Sequence, residues 1–331
     1  MHMSDALLSP AVGGTLWAAA AGLMAASARR VERDPDPRRV PLMGVMGAFV
    51  FAAQMVNFSI PGTGSSGHLG GGLLLAALLG PAAGFLVLAS VLTVQALFFA
   101  DGGLLALGAN ILNVAAASCF VAFPLLFRPL AGRPRPGARL VAASVAAGMG
   151  GLALGALGVV VETAASGISA LPLRAFLSLM IPVHLAVGVG EGLATAAVLS
   201  VLWRARPELA GPPTPVRSLR PVVTGVAVAA VLLGGACSWL ASADPDGLEW
   251  SVTRTAGAAL RAPADGVRAT LARVQATIAL FPGYGVGGTE TRAGTSLSGI
   301  AGAGMTLALV AAVAWGLRAL RRRTRGSGGD P

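Results

Sequence analysis

Apolar runs recur along nearly the whole chain, and no other feature restricts its fold as strongly. They fall at Ala11 to Ala28, Val40 to Phe58, Leu69 to Leu79, Ala82 to Ala100, Leu104 to Phe127, Ala138 to Val161, Arg174 to Trp203, Pro221 to Ala241 and Gly299 to Leu317. Most reach the roughly 17–25 residues that a membrane-crossing helix needs. With 55% hydrophobic and 11% charged residues, the chain has too little polar surface for a water-soluble globule of its length. The expected fold is an all-α integral membrane protein, a helical bundle of about seven spans followed by a two-helix C-terminal extension. The third run is short and ends at Gly80-Pro81. That pattern predicts a tight turn or a broken helix, which is tolerated only where protein or a polar cavity satisfies the backbone.

The net charge of +10 is carried by arginines that cluster after alternate runs. Arg29, Arg30, Arg33, Arg38 and Arg39 follow the first run, and Arg128, Arg133, Arg135 and Arg139 the fifth. Arg204, Arg206, Arg217 and Arg220 follow the seventh, and Arg318, Arg321, Arg322, Arg323 and Arg325 the last. This is the positive-inside pattern of a multi-pass protein in the cytoplasmic membrane, with a lipid bilayer and not nucleic acid as its partner. It predicts the N-terminus outside and the C-terminus in the cytoplasm. No basic residue precedes Arg29, so the basic start of a secretory signal is missing and Met1 is expected to be retained.

The chain reads as two blocks, 1–203 and 221–331, joined by a cytoplasmic linker at 204–220 that is rich in proline and arginine. The second block encloses a polar segment, Ser242 to Ser298, long enough to form a small lid or plug.

Chemistry concentrates at the N-terminus and in the run Gly62-Thr63-Gly64-Ser65-Ser66-Gly67-His68-Leu69-Gly70-Gly71-Gly72. The α-amine of Met1, the amide nitrogen of His2 and the His2 imidazole can chelate one ion through fused five- and six-membered rings. One further imidazole, from His68, completes a plane of four nitrogens. A deprotonated amide ligand selects an ion that gains from a square-planar nitrogen field, Ni²⁺ or Cu²⁺ before Zn²⁺ or Mg²⁺, with Co²⁺ less natural. The predicted topology places the N-terminus and the loop that carries His68 on the same, outer, side of the membrane. The competing reading leaves His2 uninvolved and makes His68 part of a structural loop.

The same run contains GxGxxG at Gly62, Gly64 and Gly67, but no strand and no βαβ unit frame it as a dinucleotide site. Polar residues in or beside the apolar runs, Gln54, Asn57, Gln95, Asp101, Asn110, Asn113 and Glu162, are expected to face the bundle interior. His184 and Glu191 lie seven apart on one helical face, as a hydrogen-bonded structural pair between helices, a proton relay or a second metal site. Ala18, Gly22 and Ala26 form a small-residue stripe suited to another membrane helix. Cys119 and Cys237 sit in apolar runs and lack metal-site spacing. No nucleophile elbow, HExxH or P-loop is present, so no catalytic residue is assigned and no enzyme activity is expected.

Met1-His2-Met3-Ser4-Asp5, Leu8-Ser9-Pro10, Val40-Pro41-Leu42-Met43-Gly44, Phe49 to Asn57, Gly67-His68-Leu69, Gly80-Pro81, Gln95 to Gly103 and Leu107-Gly108-Ala109-Asn110 together resemble the CbiM/NikM family. These are substrate-binding membrane subunits of energy-coupling factor transporters for cobalt and nickel. Gly190-Glu191-Gly192 resembles the family's seventh helix. Pro245-Asp246-Gly247-Leu248-Glu249 and Tyr284-Gly285-Val286 resemble the PDGLE (CbiN/NikN-like) extension found fused behind such subunits. The resemblance implies a metal held by Met1, His2 and His68, and a transmembrane coupling subunit and two cytoplasmic ATPases as partners. The metal is transported substrate and no prosthetic group is expected. Ala6 and Met3 depart from the commoner residues, and the loop reads Ser-Gly-His-Leu where cobalt subunits carry Cys-Ser-His-Pro, which favours nickel over cobalt. Asp5, Asn57, Ser66 and Asn110 are the expected groups that orient the histidines or close the loop.

Overall fold

The computed structural model describes residues 2–33, 39–133, 135–169, 171–210, 218–257, 266–287 and 291–326. Met1, residues 211–217 of the expected linker and the last five residues lie outside the described residues. The helices are α1 (Pro10–Arg33), α2 (Arg39–Gln54), α3 (Gly72–Leu79), α4 (Pro81–Phe98), α5 (Leu107–Ala131), α6 (Ala138–Ser166), α7 (Leu173–Ala205), α8 (Arg220–Gly235), α9 (Gly247–Ala256), α10 (Gly266–Ile278) and α11 (Arg292–Gly326). Six of them, α1, α4, α5, α6, α7 and α11, are long and apolar enough to cross a membrane; α2 and α8 are apolar but shorter. The expected helical bundle is therefore observed. The central part of α5, Ile111–Phe127, is wound as a π-helix and contains Pro124.

Small residues set the tightest helix contact. A Cβ on Gly188 or Gly192 of α7 would run into the backbone of α6 at Met149 or Val145, so only glycine lets these two long helices approach so closely. The last helix, α11, packs along α2 and α8, with Gly302 against Phe51. The two sequence blocks thus share one apolar core.

The second apolar run departs from expectation. Its helix stops at Gln54, and Phe58–Ile60 (β1) pairs antiparallel with Ser65–Gly67 (β2) in the register Phe58↔Gly67, Ser59↔Ser66 and Ile60↔Ser65. Gly62 and Gly64 take left-handed φ values of 78° and 75° at the turn, a conformation glycine adopts without steric cost. The GxGxxG glycines therefore serve a hairpin. The break at Gly80-Pro81 is where the sequence placed it, with Gly80 at φ 84° between α3 and α4.

At 1.5 Å per residue, the eight residues of α3 rise about 12 Å against about 27 Å for α4. The non-helical segment before α3 consequently enters the bundle, where its backbone polar groups need protein partners. They have them. Gly70 and Gly71 donate to Glu191, Gly70 O accepts from Gln54, and Gly72 O accepts from Cys119.

Candidate metal site

The N-terminal segment is threaded into the bundle and pinned at Met3. Its N–H donates to Asn110 Oδ1 at 2.7 Å, and its carbonyl accepts from Asn110 Nδ2 at 3.2 Å and from Gly103 N at 2.8 Å. Asp5 Oδ1 accepts from Ala106 N at 2.9 Å, and Met3, Leu7 and Leu8 are fully buried. Burial raises the Asp5 carboxyl, opposed by backbone amides around Ala106. These contacts fix His2 one residue from a double clamp.

The hairpin and the Glu191 cradle bring His68 to the same place. The His2 and His68 rings stack with centroids 5.1 Å apart and planes within 8°. His68 Nδ1 lies 2.9 Å from Leu69 O. With that nitrogen donating, the lone pair sits on Nε2, the arrangement typical of a histidine oriented for metal. Burial pushes the His68 imidazole down to about 3, so it is neutral at ordinary pH, as a ligand must be. Among the described residues no three His, Cys, Asp or Glu side chains converge on one point. An ion held here needs backbone nitrogen donors as well. Met1, which would supply the amine, lies outside the described residues.

The other residues named from sequence divide. Asn110 and Asp5 hold the backbone that carries His2. Ser66 does not reach a histidine: its N–H donates to Pro245 O at 2.8 Å and its hydroxyl to Asp244 O at 2.8 Å. Asn57 lines the cavity, and its carbonyl accepts from Ser242 N at 2.9 Å. His184 and Glu191 share a face of α7 but bond to backbone instead of each other, His184 Nδ1 to Met180 O and Glu191 to the amides of Gly70 and Gly71.

Residues after 240 close the site from above. Ser66 and Asp246 form a parallel β-bridge, and Asp246 caps α9 by accepting from Glu249 N at 2.8 Å. The segment around Phe281 pairs with the loop after α4, through Phe281 N to Phe98 O and Gly283 N to Phe99 O. A cavity of about 610 Å³ remains between the two blocks, lined by His2, His68, Asp101, Asp246, Glu249 and Tyr284 among others. Asp101 bonds His2 Nδ1 at 3.1 Å and accepts from the Tyr284 hydroxyl at 2.6 Å. Burial alone would raise the Asp101 carboxyl, but the facing His2 ring and the Tyr284 hydroxyl hold it well below the usual carboxylate range. Asp101 and Tyr284 were not among the site residues expected from sequence, although both lie in motifs that carried the resemblance.

Residues 2–209 match the family described as CbiM, cobalt uptake substrate-specific transmembrane region. The chain belongs to the CbiM family. Residues 220–319 of this CbiM-family chain match the PDGLE domain. A protein of Archaeoglobus fulgidus, NikMN by name, is 32% identical over 93% of this chain and 96% of its own length. The fused nickel transport protein NikMN of Rhodobacter capsulatus is 33% identical over 64% of each chain. A crystal structure described as a truncated transition metal transporter superposes with a TM-score of 0.54 at 29% identity, covering 62% of this chain and 99% of that one.

Proposed function

We propose that this protein is the metal-capturing membrane subunit of an energy-coupling factor importer for Ni²⁺. In this reading the ion is held in a plane of four nitrogens, the amine of Met1, the amide and imidazole of His2, and the imidazole of His68. The observation that carries it is the stacking, side by side, of His2 and His68, 66 positions apart in the sequence, on a backbone clamped at Met3 and cradled at Gly70. Fixed ligand backbones of this kind give the geometric selectivity that a planar nitrogen site demands.

Residues 1–203 would form the metal-binding part, 204–220 a cytoplasmic linker and 221–331 the PDGLE extension. The arginine distribution supports an N-terminus outside and a C-terminus inside the cell. ATP hydrolysis would fall to two cytoplasmic ATPases acting through a transmembrane coupling subunit, because no P-loop occurs in the sequence. Co²⁺ as the cargo is the second reading, favoured by the match to a family described by cobalt uptake.

The test is metal content and optical absorption of purified protein with a native, untagged N-terminus after exposure to equal Ni²⁺, Co²⁺ and Zn²⁺. One equivalent of yellow, diamagnetic nickel is expected. Bound cobalt would change the cargo and keep the site. An absence of any metal would sink the reading and leave a membrane scaffold. Extension of the chain before Met1 should abolish binding.

A further inference from the structure

Asp101 stands at a junction that neither the chelate nor the apolar core explains. Its Oδ1 lies 3.1 Å from His2 Nδ1, and its Oδ2 accepts from Tyr284 at 2.6 Å. His2 Nδ1 is the nitrogen that a six-membered chelate ring with the His2 amide requires, so in this arrangement the metal-binding atom faces a carboxylate. The opposite ring nitrogen, Nε2, is buried with no hydrogen-bond partner. The ring is therefore held by one edge only, with its face stacked on His68.

The groups that make this contact are held in unusual backbone conformations. Ala100, which precedes Asp101, has φ 52°, and Tyr284 has φ 62°; among the described residues no other non-glycine position has a left-handed φ. Such a conformation is sparsely populated and persists only where the surroundings enforce it. Here the two loops enforce each other through the backbone bonds of Phe281 and Gly283 to Phe98 and Phe99. Gln275 of α10 adds bonds to Ala96 O and Gly102 O, on either side of Asp101.

We infer that Asp101, clamped by the Tyr284 hydroxyl of the PDGLE part, is a positioning residue that latches the His2 imidazole away from the chelating geometry until the clamp yields. The ion can close its second chelate ring only after the His2 ring leaves Asp101 and turns about its Cβ–Cγ bond. The C-terminal part thereby controls the speed of metal loading without supplying a ligand. The inference rests on the proposed metal-binding role of His2.

Full-length protein with ¹⁵N-labelled histidine, reconstituted in lipid nanodiscs, tests it at fixed pH; the chain has three histidines, so the ring signals are separable. The metal-free wild type should show a hydrogen-bonded His2 Nδ1 proton in slow exchange. Tyr284→Phe and Asp101→Asn should each accelerate that exchange at least tenfold. In stopped-flow mixing with Ni²⁺ alone, both variants should load at least fivefold faster and reach the wild-type end-state spectrum. Unchanged His2 ring exchange, or loading that is unchanged or slower, overturns the latch. A wild type that shows the latched ring proton but takes up no nickel overturns the metal reading and the loading role with it, and leaves the Asp101–His2 bond as a structural contact.

Discussion

The Glu191 carboxylate receives the backbone N–H of Gly70 at 2.7 Å, tying the middle of α7 to a loop 121 positions earlier in the sequence. Gly71 donates to the same carboxylate at 3.0 Å. Glu191 is 2% exposed, so no solvent replaces it if it is removed. Glu191→Leu should cost about 3 kcal/mol or more of stability through two orphaned amides. It should also weaken nickel binding by roughly 10–100-fold, as loss of an orienting group does. Glu191→Gln retains one acceptor and should recover part of both losses in thermal unfolding and calorimetric titration.

Asn110 makes a two-point clamp on the Met3 backbone. Asn110→Ala removes both bonds beside His2 while leaving the helix contacts of α5 in place. Nickel should dissociate roughly tenfold faster or more, with the circular dichroism spectrum unchanged. Retention of wild-type dissociation kinetics would show that the clamp does not hold the chelate.

His68 gives a pH dependence of stability whose sign follows from its lowered pKa. The folded state keeps the ring neutral down to about 3, whereas an unfolded histidine protonates near 6.5. Between those values the unfolded state binds the extra proton, so this contribution is fully present above about pH 6.5 and declines on acidification toward 3. Metal-free protein should lose thermal stability between about pH 6.5 and 4.5. His68→Gln should flatten that slope.

Gly67 and Gly14 provide a paired control. A Cβ on Gly67 would collide with the branched Val187 side chain, which is stiff at χ1, whereas a Cβ on Gly14 meets nothing. Gly67→Ala should cost about 1–3 kcal/mol by overpacking and shift His68, lowering nickel occupancy. Gly14→Ala should leave occupancy and melting temperature at or above wild type.

The helical bundle was legible because hydropathy is a local property of sequence, and His2 could be matched with His68 because a planar chelate begun at the N-terminus lacks one imidazole. The early end of α2 was not, because Phe58–Ile60 is apolar enough to extend a membrane span and its strand pairing depends on a turn at Gly62 and Gly64. Ser66 bonds the loop that covers it and not a histidine. A serine beside a candidate ligand suggests a bond to that ligand, but its hydroxyl is taken by Asp244, 178 positions away. Glu191 was visible as a costly intramembrane carboxylate, and helical spacing pointed to His184 as its partner. Backbone amides of a loop leave no side-chain signature, so the Gly70 cradle needed the fold. Asp101 and Tyr284 each stood in a recognisable motif, but their bond crosses between the two blocks and no spacing rule reports it.

The bridge between Ser66 and Asp246 joins two parts of a single polypeptide. Docking of the cover on the histidine loop is therefore a first-order event, with an effective local concentration set by the tether and not by expression level. Dilution across a large membrane does not undo it. Each histidine loop meets one cover, in a one-to-one ratio that translation itself guarantees.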